Sequence, residues 1–122
     1  NAAGGFVCCA WEGIPTPLGG LYLQFEEQTL CLKLWVDDMA KEQRSPARRT
    51  AVEAALAVAA KFPNLGVERT KGRPGESMTV ARLGKVGLVS NPRDERLLTS
   101  LREAHEFVKA TSAVLQGVML GT

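Results

Sequence analysis

From Leu21 to Val36 the chain reads LYLQFEEQTLCLKLWV, alternating apolar and polar positions on both sides of a short polar break. A period of two marks a half-buried strand, and two such runs around a polar break predict a β-hairpin. Leu21, Leu23 and Phe25 share one face before the break, and Leu30, Leu32, Leu34 and Val36 share it afterwards. A two-residue turn at Glu27-Gln28 pairs Phe25 with Leu30, Leu23 with Leu32 and Leu21 with Leu34. A one-residue slip would throw every leucine to the wrong side, so the register is strongly specified. Glu-Gln is poor chemistry for a type I′ turn, which leaves a four-residue loop of the same parity as an equal alternative. Tyr22, Gln24, Cys31, Lys33 and Trp35 fall on the opposite face.

The same reading extends along the chain. Phe6 to Trp11 (FVCCAW) predicts a strand apolar on both faces, and Glu12 to Gly20, with two prolines and a Gly pair, predicts a loop. Ser45 as N-cap and Pro46 at the first helical position predict a helix. Val52, Ala55, Leu56, Ala59 and Phe62 continue it until Pro63. Ala54, Ala57, Val58 and Ala60 make its second half apolar nearly all round, as for a helix held between the sheet and something else. Val67 to Thr70 predicts a short strand and Lys71 to Glu76 a Gly/Pro loop. Ser77 to Leu83 predicts a strand with Met78 and Val80 opposite Thr79 and Ala81, and Gly84 to Val89 either continues or leaves it. Asn91-Pro92 repeats the helix-start signature, and Leu97, Leu101, Ala104, Val108 and Leu115 carry one apolar stripe to about Gln116, the helix ending at Gly117 or fraying toward Gly121. The order β-β-β-α-β-β-α predicts an α+β domain, an antiparallel sheet of about four or five strands packed against two helices.

Composition changes this picture little. The 122 residues suit one domain able to bury a core, and 45% hydrophobic with 23% charged residues is the balance of an ordinary globular protein. No apolar run approaches the ~20 residues of a membrane-spanning helix, so no membrane association is expected. A formal charge of +2 points to nucleic acid only where the basic residues cluster. Cys8, Cys9 and Cys31 lack framework spacing and predict buried thiols in a reducing cytoplasmic setting. No metal or cofactor is expected. The opening NAAGGF is no signal peptide; Asn1-Ala2 read as a tag remnant, with residues 1–5 tag or disordered and the chain a candidate fragment of a longer protein.

Four groups of residues carry candidate chemistry. Tyr22 and Trp35 beside Lys33 would make a stacking surface for a base or a peptide, unless the long helix or Trp11 covers it. Lys41, Arg44, Arg48 and Arg49 cluster at the first helix start, and Lys71 and Arg73 join them if the following loop is a neighbour. Arginines at a helix start suit phosphate, although Glu42, Glu53 and Glu76 are interleaved and Arg49 with Glu53 forms an i,i+4 pair. His105 stands at the margin of the second helix's stripe without a nucleophile and acid arranged around it. Glu12, Asp37 and Asp38 at strand ends, with Lys33 on the hairpin, have the ingredients of a Mg²⁺ site.

The stretches GLYLQFEEQTLCLKLWV (20–36), SPARR (45–49) and GRPGESMTVARL (72–83) resemble the C-terminal part of some proteins of the PD-(D/E)XK nuclease superfamily. The resemblance covers about half the chain and implies a hairpin and a Met-Thr-Val-Ala strand that follow and support a nuclease core. The superfamily motif needs Glu or Gln two residues before a Lys to hold the metal and the attacking water. Cys31 stands there before Lys33, and no other Glu-x-Lys or Gln-x-Lys occurs, so no catalytic residue is carried over. These readings lead to a non-catalytic accessory domain that binds a macromolecule, nucleic acid or protein, through Tyr22, Lys33, Trp35, Arg44, Arg48, Arg49, Lys71 and Arg73. Two alternatives from other classes are a small metal-dependent phosphodiesterase and a homodimer joined through the Ala-rich helix.

Overall fold

The hairpin forms in the expected register. The computed structural model describes residues 13–36, 38–87 and 95–120. In it β1 (Ile14–Thr16), β2 (Gly19–Glu26) and β3 (Thr29–Trp35) are followed by α1 (Lys41–Ala59), β4 (Val67–Glu68), β5 (Ser77–Gly87) and α2 (Glu95–Leu120). The five strands make one antiparallel sheet in the order β1-β2-β3-β5-β4, so the α+β order β-β-β-α-β-β-α is realised. Phe25 pairs with Leu30, Leu23 with Leu32 and Leu21 with Leu34. Glu27 (φ 51°) and Gln28 (φ 71°) both adopt left-handed backbone, the conformation of a two-residue type I′ turn. Turn chemistry is thus overruled by the pairing of the strands, since the two-residue turn adds the pair Glu26–Thr29, which a four-residue loop of the same parity would forgo.

That side is the core. Leu21, Leu30, Leu32 and Leu34 are fully buried, together with Ala51, Ala55 and Val58 of α1 and Leu101, Ala104, Phe107 and Leu115 of α2. Each such leucine gains about 1.5–3 kcal/mol from burial, and small Ala side chains let α1 lie close to the sheet. Of the apolar surplus of α1, Ala54 and Val58 are buried as α1 packs against the sheet and α2, while Ala57 and Ala60 stay exposed. Phe62 meets Phe107 edge to face at 5.7 Å between ring centroids, joining the end of α1 to α2.

Several boundaries differ from expectation for identifiable reasons. The predicted Phe6–Trp11 strand and the Asn91-Pro92 helix start lie outside the described residues. Ile14–Thr16, expected as loop, pairs with Gly19–Leu21; among the described residues it is an edge strand, the place in a sheet where a proline such as Pro15 is tolerated. Thr16 closes the turn, its hydroxyl accepting from the N–H groups of Leu18 (3.1 Å) and Gly19 (3.2 Å). Helix α1 begins at Lys41, with Ala40 at its N-cap and Pro46 inside, rather than at Ser45. Lys41 to Arg44 are good helix formers, and Pro46 removes one hydrogen bond close to the exposed end, where water can take the Glu42 carbonyl. Helix α2 runs through Gly117 to Leu120, the longer of its two expected ends, because one interior glycine costs only about 1 kcal/mol against an established helix. In β5 the alternation breaks: Ala81 pairs with Leu32 and Met78 with Leu34, so a bulge at Val80 returns Ala81 to the leucine face.

Candidate functional site

Both helices lie on the leucine face, and the opposite face of the sheet carries exposed Gln24, Glu26, Trp35, Ser77 and Arg82. The long helix therefore does not cover Tyr22 and Trp35; Trp11 lies outside the described residues. The outer face divides in two. Toward the hairpin turn, Lys33 reaches past Cys31, its ladder neighbour along β3, and is only 8% exposed. Its ammonium donates to Glu26 Oε1 at 2.9 Å and to Thr79 Oγ1 at 2.8 Å, and the Thr79 hydroxyl donates to the same carboxylate oxygen at 3.2 Å. The positive charge of Lys33 is matched inside the protein. Burial pushes the Cys31 thiol above its ordinary value; the Glu26 carboxylate adds to the shift, while Lys33 and Arg82 oppose it. Cys31 is a poor nucleophile at neutral pH.

At the other end of the same face, the Tyr22 hydroxyl is hydrogen-bonded to Ser77 across β3. Trp35 pairs with Ser77 in the ladder and is 44% exposed. Gly19 backs this position, since a Cβ there would stand 2.2 Å from the Trp35 carbonyl oxygen, so the β1–β2 turn closes directly against β3.

The basic residues come together around Arg48. Its Nε donates to the Thr79 carbonyl at 2.9 Å, and its Nη2 donates to the carbonyl of Thr70 at 2.8 Å and to the Thr70 hydroxyl at 3.2 Å. Gly72 passes under the guanidinium so closely that a Cβ would lie 2.4 Å from Nε. Arg48 is thus a clamp that fastens the loop after β4 to α1. Thr79 is shared by both clusters: its carbonyl holds Arg48 from the helix side and its hydroxyl joins Lys33 to Glu26 on the outer side.

The clamp makes the expected neighbours real. Arg49, Arg48, Ser45 and Arg69 line one shallow groove with Val52 and Glu53, and exposed Lys71 and Arg73 follow in the fastened loop. The expected i,i+4 pair between Arg49 and Glu53 is not among the ion pairs of the described residues. Among those residues neither Arg49, Arg69, Lys71 nor Arg73 has a hydrogen-bond or ion-pair partner. Arg44 is drawn away from the groove, donating through Nε to the Met39 carbonyl at 3.1 Å. Lys41 is exposed in the first turn of α1.

The other candidates are not brought together among the described residues. Lys33 points to the turn end of the hairpin, whereas Asp38 follows the far end of β3, and Glu12 and Asp37 lie outside the described residues. Among the described residues no three or more His, Cys, Asp or Glu side chains group to hold a metal ion. No helix of the described chain is long and apolar enough to cross a membrane. His105 is half-buried beside the stripe of α2.

Arg69 was not visible as a site residue in the sequence, because nothing there tells that β4 is a two-residue edge strand lying beside α1. Its signal is the spacing Arg69, Lys71, Arg73, alternate positions with Thr70 and Gly72 between them. Compared with known proteins, the chain matches no family model, no curated protein and no solved structure.

Proposed function

We propose that this chain is a non-catalytic binding module for nucleic acid, with Arg49, Arg69, Lys71 and Arg73 as its phosphate contacts. The observation that carries the reading is the Arg48 clamp. It spends one arginine on backbone carbonyls and thereby sets Arg69 in one groove with Arg49 and holds the loop of exposed Lys71 and Arg73 against α1, none of the four in an ion pair among the described residues. Guanidinium groups in such a cluster suit phosphate oxygens through paired hydrogen bonds as well as charge. Lys33 and Arg48 serve this module as internal fastenings rather than as contacts. An accessory role beside the core of a nuclease-like protein fits the resemblance of residues 20–36 and 72–83, and needs no catalytic residue from this chain.

Phosphate-driven binding must weaken with salt. Titration of a fluorescein-labelled 12-nucleotide oligo(dT) at several salt concentrations is expected to give log K falling linearly with log salt. The double variant Arg49→Ala/Arg69→Ala should reduce that slope by about 1.4, from ~0.7 per phosphate contact on a single strand. An affinity indifferent to salt and to the double variant overturns the proposal.

A further inference from the structure

We infer that the nucleic acid is taken as a single strand, one of whose bases stacks on Trp35 while its backbone follows the clamped loop to Arg69 and Arg49; this rests on the binding function proposed above. The loop joins the two features physically. At one end it is pinned to Arg48 through Thr70 and Gly72. At its other end the Glu76 carbonyl accepts from the Val36 N–H at 2.7 Å, and the next residue, Ser77, pairs with Trp35. From Thr70 to Ser77 the chain spans at most ~25 Å, seven residues at about 3.6 Å each, and Lys71 and Arg73 lie on that path. That is a track a few nucleotides long, with cations along it and an indole at its end.

Trp35 is the exposed aromatic of this surface at 44%, and α1 and α2 are on the other side of the sheet. Tyr22 lies beside it but is half-buried and tied through its hydroxyl to Ser77, so it fixes the platform rather than offering a second one. An indole at the end of a line of free cations receives a base face while the phosphates follow the cations, with exposed Glu76 and Asp38 the carboxylates beside it. A duplex keeps its base faces stacked inside and leaves Trp35 nothing to engage; a single strand does not. On the outer face Lys33 is neutralised by Glu26, and exposed Arg82 lies toward the hairpin turn, bonded to Thr29, so a strand that leaves Trp35 along Lys71 and Arg73 takes the loop side.

The experiment uses the full chain with two probes, fluorescein-labelled 12-nucleotide oligo(dT) and a 12-base-pair duplex of mixed sequence, at the same salt concentration. The single strand is expected to bind tighter. Trp35→Ala should weaken its binding on the order of 5- to 150-fold, the range of losing one base–aromatic stack, with the salt slope unchanged because no charge is removed. Trp35→Phe should restore much of the affinity, and circular dichroism of both variants should match the parent. Equal binding of the two probes, or Trp35→Ala binding like the parent, overturns the single-strand inference while the Arg49/Arg69 slope change leaves the binding function standing. Absence of binding to either probe overturns both.

Discussion

The two faces of one hairpin are built by different physics. On the inner face Leu21, Leu23, Leu30, Leu32, Leu34 and Val36 are all buried, and period two alone decides their fate. On the outer face, residues of the same strands have unlike fates: Cys31 and Lys33 are buried while Trp35 is exposed. Lys33 owes its burial to partners seven and 46 positions away in the chain, Glu26 and Thr79. Burial on the first face follows from local pattern, and on the second from side chains that only the folded sheet brings together.

Removing one inner side chain should be the most damaging change. Leu32→Ala is expected to cost about 2–5 kcal/mol in urea unfolding, the lost transfer term plus a cavity that close-packed neighbours cannot fill. Lys33 allows a finer separation on the outer face. Lys33→Ala removes the stem that lies along Cys31 as well as the ammonium, and should cost about 1–2 kcal/mol. Lys33→Met keeps the stem, and because Glu26 is half in water the lost pair should cost only about 0–1 kcal/mol. A Lys33→Met loss as large as that of Leu32→Ala would erase the distinction between the faces.

The smallest effect concerns Cys31. In a Cys8→Ser/Cys9→Ser background, alkylation at about pH 8 should be slower than for an exposed thiol, because burial raises the pKa and holds the group protonated. Glu26→Gln removes the second cause of the shift and should speed labelling by a factor on the order of two to three. The linked stability runs in the matching direction. A raised thiol pKa favours the folded state fully below the ordinary value of 9.0, and that contribution is lost as pH rises from there through the folded value. Urea midpoints measured across this alkaline window, with Cys31→Ser as the reference, check the sign.

This contrast also explains how much was legible in the sequence. Leucine register and the α+β order follow from periodicity and breakers, and they stand in the fold; the helix expected to run to Pro63 ends at Ala59, and Pro63 opens a 3-10 turn. The helix start at Lys41 was missed because Ser45-Pro46 is a strong local signature that good helix formers upstream outweigh. The bulge at Val80 was missed because Met-Thr-Val-Ala alternates well enough to hide the extra residue. For the proposed site, the sequence pointed to a group of cations but not to their division of labour. Arg48 and Arg49 are adjacent and alike, yet one is fastened to Thr70 and Thr79 and the other is open to a partner. Only the position of the 69–73 loop tells them apart.

The strand order has a consequence for synthesis. β3 ends in the middle of the sheet, but its second neighbour, β5, is made more than 40 residues after it. A nascent chain that has released the hairpin and α1 therefore carries β3 as a bare edge, with unpaired N–H and C=O groups and three leucines on one face. That is the kind of strand that recruits a copy of itself. Ser77–Gly87 acts as the seal, and its late arrival makes the interval before it the most vulnerable in the life of the molecule.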